Sequence, residues 1–374
     1  MAFSFRKLSK RFFVSSNVLA ALVFLLACLQ PWLNPETFWL ISFFSLLLPY
    51  LAIVLLLFMV FWLMAKWRYM AISAVALLLG SRQLSTLVAL REEKFELRKA
   101  AVPGSLRLLT WNVRAMKGLG SQDKASLRKN VDGIYQLIDR FQPDVLCLQE
   151  FGQFDKPDEG FDHLARLADL GYRHYVFSKD YSRVAWRYSS GVAIFSRWPL
   201  FHKQRVQFTS SPESILLADL QLGADTVRIF TSHLQSFKFS NDEFAGLEAA
   251  NNSEELAKAS SGIFGKMKRA FRNRGAQSNQ IAPLLDSCGH PFVIAGDLND
   301  VPGSYAYWKV RGADRQDVFL KTGSGIGRTF MSLAPTLRID YVFASSQWQV
   351  LQSRTISTRL SDHLPVVTDL QLKP

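Results

Sequence analysis

The near absence of charge between residues 14 and 81 is the feature that most constrains how this 374-residue chain can fold. Ordinary charge density returns from about residue 82, which divides the sequence into an apolar leader and a longer remainder. About 20 consecutive apolar residues are enough to cross a bilayer. With 49% hydrophobic and 20% charged residues, the chain is too apolar for disorder. The length alone fits one large or two moderate domains, and the division of charge predicts a membrane anchor over residues 1–81.

Three apolar runs follow one another within residues 1–81, at about 13–33, 38–65 and 69–79. The second run is longer than a bilayer requires, and Pro49 is the natural place for it to kink. The third run reaches spanning length only if its neighbours are included. A cleaved signal peptide is the rival interpretation of the first run, but no A-x-A-like small-residue site follows it. The sequence predicts about three transmembrane helices.

The distribution of Lys and Arg predicts the orientation of these helices. Four basic residues lie within residues 6–11, the turn at 33–37 has none, and Lys66 and Arg68 follow the second run. Because basic residues mark cytoplasmic ends, three spans would leave everything after residue 82 on the extracytoplasmic side of the inner or plasma membrane. If the third run only lies in the interface, the remainder stays cytoplasmic.

Residues 82–104 mix charged residues with scattered Leu and Val and end at Pro103 and Gly104, which predicts a helical connector and then a break. The main folded domain is expected over residues 105–374. Residues 101–374 hold 33 basic and 27 acidic side chains, a mild excess that permits nucleic-acid binding without indicating it. The chain has only three cysteines, widely spaced, which excludes a disulfide scaffold and a cysteine zinc site with close ligand spacing.

Several short β-rich runs in the main domain end on a polar side chain suited to bind metal or phosphate. D-V-L-C-L-Q-E delivers Glu150, V-R-I-F-T-S-H delivers His233, and F-V-I-A-G-D-L-N delivers Asp297. Taken singly, each is more often a turn former or a structural residue. Taken together, the carboxylates, imidazoles and Asn amides form a coherent set for metal-assisted hydrolysis. The candidates are Asn112, Glu150, His233, Asp297, Asn299, Asp340, Asp362 and His363.

Seven motifs lie in order between about Leu106 and Lys373: L-L-T-W-N-V-R, P-D-V-L-C-L-Q-E, S-G-V-A-I-F-S-R, T-S-H-L-Q-S, G-D-L-N-D-V-P, R-I-D-Y-V-F and S-D-H-L-P-V. With these motifs the region resembles the endonuclease/exonuclease/phosphatase superfamily, which includes DNase I-like nucleases, deadenylases, inositol polyphosphate phosphatases and sphingomyelinases. The resemblance implies an α/β fold, a four-layer αββα sandwich of the DNase I-like type with the site at one end. The apolar leader is similar to that of bacterial membrane-anchored members.

The resemblance also implies a metal site. Glu150 would be the primary metal ligand, assisted by Asn112, with Asp362 near the ion. Mg²⁺ suits a site with few carboxylates and several retained waters, and Mn²⁺ is a plausible substitute.

The catalytic roles are likewise implied by the resemblance. Asp297 and Asn299 would position the attacking water and a phosphate oxygen. His363, oriented by Asp340, would contact the phosphate or remove a proton there. His233 would stabilise the developing charge or protonate the leaving oxygen.

A long insertion at about 237–280 contains a basic amphipathic helix. We favour a helix packed on the sandwich with a solvated basic face; the alternative is a face that meets anionic lipid headgroups or a polyanionic substrate. At 100° per residue the apolar arc holds Ile263, Phe264, Met267, Ala270 and Phe271, and the basic arc holds Lys266, Lys268, Arg269 and Arg272.

The strip Y-S-R-V-A-W-R-Y, residues 181–188, is a candidate for substrate binding. Arg183 and Arg187 could grip phosphate, and Tyr188 could stack on a base, although such a loop is more often a variable rim. The segment Ser304–Trp308 is expected to border the pocket.

Three functions are consistent with these residues. The first is a membrane-anchored, metal-dependent phosphoesterase that uses in-line water attack on a lipid headgroup or a small phosphoester. The second is an extracytoplasmic nuclease on DNA or RNA, and the third is a non-catalytic binding domain. The expected partners are the phosphoester substrate and the lipid bilayer, and no protein partner is implied.

Overall fold

A computed structural model describes residues 2–91, 95–99, 102–117, 123–156, 161–209, 211–239, 253–332 and 334–373. The chain forms two compact units, which we call the helical unit and the sandwich unit. The helical unit comprises Met1–Val88, Phe237–Gly275 and Val301–Trp308, and the sandwich unit comprises Ala89–Ser236, Ala276–Asp300 and Lys309–Pro374.

Ten helices and fifteen strands are numbered here in chain order over the described residues. The helices are α1 Ala2–Cys28, α2 Pro35–Phe38, α3 Ser42–Lys66, α4 Met70–Leu79, α5 Ser81–Leu84, α6 Lys124–Phe141, α7 His163–Asp169, α8 Ser253–Asp286, α9 Tyr305–Arg311 and α10 Val318–Thr322. The strands are β1 Ala89–Leu90, β2 Ser105–Asn112, β3 Val145–Phe154, β4 His174–Phe177, β5 Tyr181–Arg183, β6 Tyr188–Ser196, β7 Leu200–Gln207, β8 Ser214–Leu222, β9 Asp225–His233, β10 Phe292–Asp297, β11 Gln316–Asp317, β12 Ser324–Gly325, β13 Asp340–Ala344, β14 Trp348–Thr355 and β15 Val366–Leu372.

The apolar runs of the leader form the helices of the helical unit. The helical stretches Leu8–Trp32 and Pro35–Leu79 are long and apolar enough to cross a membrane, by a criterion of length and composition that core helices and signal sequences also meet. Inside the unit, the buried Ser73 hydroxyl donates to the Asn17 amide oxygen over 2.7 Å. This bond satisfies two polar groups that would otherwise be costly among apolar side chains.

Helix α4, which has 10 residues, packs beside the 27-residue helix α1. Near one end of α4, the Lys10 ammonium lies 5.1 Å from the centre of the Tyr69 ring. Just past its other end, the Gln83 side-chain amide donates to the Cys28 carbonyl oxygen over 3.1 Å. Contacts with α1 are thus made by Tyr69, just before α4, and by Gln83, in α5.

The first half of α8 differs from the expected packing on the sandwich. Within the helical unit, the Phe264 ring stacks on Phe43 with centroids 5.2 Å apart and meets Trp39 edge-on at 5.2 Å. Phe271 also contacts Phe43, with centroids 5.0 Å apart. The apolar arc thus packs on aromatic rings of the leader, because these rings offer it a better apolar partner than solvent. Residues 240–252 of the insertion lie outside the described part of the chain.

The expected helical connector is wrong for most of its described residues. Helix α5 ends at Leu84, and Ala89 and Leu90 then form strand β1, which pairs with β12. The ladder to β12 satisfies backbone groups that a helix would have paired internally. Residues 92–94 and 100–101 of the predicted connector lie outside the described residues.

Two β-sheets form the sandwich unit. The first has the order β11-β13-β10-β9-β8-β7. The second has the order β14-β15-β2-β3-β6-β4, and β5 also pairs with β6. Side chains of β2 show why the sheets stack: Leu106 and Leu108 belong to one buried cluster, whereas Leu109 and Trp111 belong to another that includes residues of α6 and α7. Because successive side chains point to opposite faces, one strand serves a sheet-to-sheet layer and a sheet-to-helix layer.

This arrangement confirms the predicted fold class, an α/β four-layer sandwich of the DNase I-like type. The first cluster unites both sheets through residues such as Cys147, Ile194, Leu216 and Ile229. The polar residues at the ends of neighbouring strands consequently lie close together at one end of the sandwich.

Candidate active site

Strand register brings three of the predicted site residues side by side. Strand β10 pairs in parallel with β9, which sets Asp297 opposite His233. It also pairs antiparallel with β13, which sets Asp297 opposite Asp340. A strand that is buried on both faces of its sheet can present carboxylate and imidazole side chains to a ligand only near the ends of the strand. Asp297 is therefore the centre of the candidate site.

Glu150 reaches the site through an irregularity in β3. The pairing of β3 with β6 shifts between Leu148 and Phe151, and Glu150 has a φ of 50°, in the left-handed region. A bulge of this kind re-aims a side chain next to a functional site. The Glu150 side chain remains 42% exposed. It is the most accessible carboxylate of the cluster that surrounds Asp297.

Asn112 connects the two carboxylates. Its side-chain nitrogen donates to Glu150 Oε1 and to Asp297 Oδ2, each over 3.1 Å. Its side-chain oxygen accepts from the backbone N–H of Arg114 over 3.1 Å. Asn112 therefore holds the two acids together as a hydrogen-bond donor.

Asp297 is fully buried and partly neutralised by its neighbours. The backbone N–H of Asn299 donates to Asp297 Oδ1 over 2.8 Å, and the Asn299 side-chain amide donates to the Leu234 carbonyl oxygen over 2.9 Å. Burial, with the nearby Asp340 carboxylate, raises the pKa of Asp297 above its usual range, against the opposing effect of two histidines. Oδ2 is the oxygen that faces the centre of the site.

His363 and Asp340 form a buried pair. His363 Nδ1 lies 2.9 Å from Asp340 Oδ2 and 3.1 Å from Oδ1, while His363 Nε2 lies 3.6 Å from Asp297 Oδ2. Burial alone would lower the pKa of His363, but the carboxylates of Asp340 and Asp297 outweigh it and raise the pKa to about 10. His363 therefore presents a cationic Nε2 toward the same oxygen of Asp297.

His233 points to this oxygen from the neighbouring strand. Its Nε2 is buried, has no hydrogen-bond partner, and lies 3.5 Å from Asp297 Oδ2 and 3.9 Å from Glu150 Oε1. A buried nitrogen without a partner is costly unless a ligand satisfies it. An oxygen of a bound substrate or water would do so.

Two groups of residues could hold a hard cation. Among the described residues, ligand atoms of Asp297, Asp340 and His363 lie within 4.8 Å of one another. Asp340 and His363, however, already satisfy each other. The accessible Glu150 carboxylate, with the Asp297 carboxylate beside it, offers the oxygen ligands that fit a divalent cation with retained waters, and the Asn112 side-chain nitrogen holds the two acids together.

The predicted ligand Asp362 has other contacts. Its Oδ1 accepts from the Ser361 hydroxyl over 3.2 Å, and its Oδ2 lies 3.6 Å from Arg114 Nε. The sequence did not identify Arg114 as a site residue, although Arg114 ends the first motif, L-L-T-W-N-V-R. The Arg114 side chain is 46% exposed, so it places an accessible cation beside the Asp362 carboxylate.

The predicted substrate residues divide into two kinds. Arg183 and Arg187 are exposed. Tyr188 is half-buried, and its ring packs on Phe154 with centroids 4.9 Å apart. Burial, aided by the Glu150 charge, raises the pKa of Tyr188 to about 12. Tyr188 is therefore within electrostatic reach of the site, whereas the two arginines lie on the surface.

The raised pKa of His363 predicts how stability depends on pH in metal-free protein. Because the folded state binds this proton more tightly than the unfolded state, its stabilising effect is complete below pH 6.5 and is lost as pH rises to about 10. We expect the thermal midpoint of full-length protein in EDTA to fall more steeply across this window than that of His363→Gln. Parallel pH profiles for the two proteins would contradict the assignment.

Two family profiles match this chain. The Endonuclease/Exonuclease/phosphatase family matches residues 109–363. A profile described as a domain of unknown function matches residues 10–87. No curated protein matches.

Solved structures similar to this chain include the human Nocturnin catalytic domain with bound sulfate anion, at 20% identity and a TM-score of 0.51 over 72% of this chain and 94% of that one. The endonuclease/exonuclease/phosphatase from Beutenbergia cavernae DSM 12333 is 23% identical, with a TM-score of 0.48 over 72% of each chain. Humanized D. rerio TDP2 is 18% identical, with a TM-score of 0.48 over 72% of this chain and 99% of that one. The likeness to Nocturnin shows a shared fold.

Proposed function

The chain belongs to the endonuclease/exonuclease/phosphatase family, and on this premise we propose that it is a membrane-anchored, Mg²⁺-dependent hydrolase of phosphoesters. The family fold implies hydrolysis of phosphoesters. The observation that carries the proposal is the convergence on Asp297 Oδ2, which lies 3.5 Å from His233 Nε2 and 3.6 Å from His363 Nε2. Glu150 adds an accessible carboxylate whose Oε1 lies 3.9 Å from the same nitrogen of His233.

Glu150 would hold the metal ion, with Asn112 beside it. Mg²⁺ is favoured because it prefers oxygen ligands and keeps several waters, and Mn²⁺ would substitute. When bound, the ion polarises phosphoryl oxygens and makes a bound water more acidic. Asp362 fits this set less well, because its carboxylate contacts Arg114 and Ser361.

The protein side chains supply the proton transfers and fixed charges. Asp297, held by the Asn299 backbone N–H and with a raised pKa, is suited to orient the attacking water and accept its proton. His363, cationic because Asp340 faces it, would neutralise charge on a phosphate oxygen. His233 Nε2 would donate to the leaving oxygen. Catalysis of this kind depends on positioning and electrostatics more than on covalent chemistry.

The proposal includes a multi-pass anchor with the sandwich unit outside the cytoplasm. Support comes from the segment 69–83, which contains α4 and contacts Lys10 of α1 through Tyr69 and Cys28 of α1 through Gln83; this segment would be the third span. With the basic residues at 6–11 and the pair Lys66 and Arg68 on the cytoplasmic side, an odd number of spans places the catalytic domain on the other side.

The test is a comparison of substrate classes with full-length protein in mild detergent. Plasmid DNA, RNA, a phosphodiester headgroup lipid and an inositol phosphate are supplied in parallel, with Mg²⁺, with Mn²⁺ or with EDTA. We expect hydrolysis of one non-nucleic-acid class with Mg²⁺, partial activity with Mn²⁺ and none with EDTA. EDTA-resistant hydrolysis would refute the metal dependence.

The same experiment distinguishes the alternatives. Cleavage of DNA or RNA alone, falling steeply with salt, would indicate a nuclease, because phosphate contacts release counterions. Folded protein that binds these probes without turnover in either metal would indicate a binding domain.

A further inference from the structure

An apolar groove lies in the helical unit, where α1 ends and α3 begins. Its volume is about 340 Å³, within the range of small-molecule sites. Leu26 is 39% exposed, Phe38 54% and Leu40 57%, so the groove opens to the surroundings of the unit. Its apolar lining includes Leu26, Leu33, Phe38, Leu40, Ile41 and Phe44.

A cation is fixed at the rim of this groove. Lys268 Nζ lies 4.7 Å from the centre of the Trp39 ring, and Trp39 also lines the groove. The first half of α8 is held in this place because the Phe264 ring contacts both Trp39 and Phe43, at 5.2 Å each. Lys268 is therefore positioned by packing and is not a freely moving surface charge.

A second cation, Arg82, lies near the same end of α1. Arg82 lies 5.7 Å from the Trp32 ring, in the same connection between α1 and α3. The connection between α1 and α3 also holds one acid, Glu36, whose Oε1 accepts from the Asn34 side chain over 3.2 Å. An apolar groove with a basic rim at the end of spanning helices is complementary to a molecule with an apolar tail and an anionic head.

We propose that this groove binds one anionic phospholipid, with an acyl chain among the apolar side chains and the phosphate at Lys268. The lipid would be a resident ligand and not the substrate, because the residues that line the groove include none of the candidate active-site residues. Acyl burial gives affinity, and the ammonium gives the preference for anionic over zwitterionic headgroups. The inference rests on the proposed membrane anchor.

The test measures phospholipid retained by full-length protein. Protein delipidated in detergent is incubated with phosphatidylglycerol or phosphatidylcholine and examined by native mass spectrometry. We expect one tightly retained phosphatidylglycerol, with a preference of about fivefold to tenfold over phosphatidylcholine. Lys268→Glu should abolish the preference, and Leu40→Trp, which fills the groove, should abolish retention.

Two matched variants serve as controls. Leu57→Trp changes a leucine of α3 that is 64% exposed and does not line the groove, and Lys203→Glu reverses an exposed lysine of β7. Both should retain lipid as the wild type does. Equal retention by Leu40→Trp and wild type, or equal binding of both lipids by wild type, would overturn the inference.

Membrane fractionation of the cells that produce the protein distinguishes failure of the proposed membrane anchor from failure of the proposed lipid site. Protein that is found in the soluble fraction without detergent would refute the anchor and the groove together. Protein that sediments with membranes but retains no phospholipid would refute the groove alone.

Discussion

Glu150→Gln is expected to lower Mg²⁺-dependent hydrolysis by at least about 1000-fold while the fold stays intact. Loss of the ion removes several kcal/mol of transition-state stabilisation, and each ~1.4 kcal/mol is a factor of ten in rate. The fold should tolerate the change because the side chain is 42% exposed and a glutamine oxygen can still accept from Asn112. The measurement is the steady-state rate across a Mg²⁺ titration, with the thermal midpoint of each protein as the check on folding.

Asp225→Asn is the matched control for this prediction. Asp225 is exposed and begins β9, and His233 of the candidate site ends the same strand. The substitution therefore removes a negative charge from β9 at the end that is far from the site. This variant should keep the wild-type rate. If Glu150→Gln also kept it at every Mg²⁺ concentration, Glu150 would not hold the catalytic ion.

Most of the sandwich could be predicted because its central strands are continuous apolar runs that end in chemistry-bearing residues. The pattern places Asp297 and His233 at strand ends, and the parallel pairing of β9 with β10 then sets them side by side. The resemblance between ordered motifs supplied the partners that are distant in sequence. The bond from Asn112 to Asp297, for example, crosses 185 positions.

The sequence could not predict features that depend on which surfaces meet. The amphipathic pattern of α8 identifies an apolar arc, but hydrophobic periodicity does not predict which surface that arc packs against. In the structure Phe264 of this arc packs on Phe43 of the leader. Strand β1 is only two residues long and exists through its pairing with β12. The left-handed backbone conformation of Glu150 accompanies a shift in the pairing of β3 with β6, and no residue type in the sequence predicts such a shift.

Removal of the His363 side chain is expected to slow hydrolysis by about 100-fold to 10,000-fold, the range typical of a proton-transfer or charge-stabilising group. His363→Ala would also leave Asp340 and Asp297 buried without their counter-charge, which destabilises the fold. His363→Gln is therefore measured beside it, because an amide can still bond to Asp340 but cannot titrate. His202→Ala is the control, since the His202 side chain is 80% exposed on β7. A folded His363→Gln protein with the wild-type rate would remove His363 from the mechanism.

Asp340→Asn distinguishes charge stabilisation by His363 from a merely structural role. Asparagine can still hydrogen-bond to the ring, but loss of the carboxylate removes the main cause of the raised His363 pKa. If the imidazolium is the active form, the rate falls as pH rises through this pKa, and the fall should begin at lower pH in the variant. A variant that is slower at every pH by a constant factor would mean that Asp340 only shapes the site. A fall that moves toward neutral pH would mean that Asp340 keeps His363 charged, which is the role its 2.9 Å contact with Nδ1 supports.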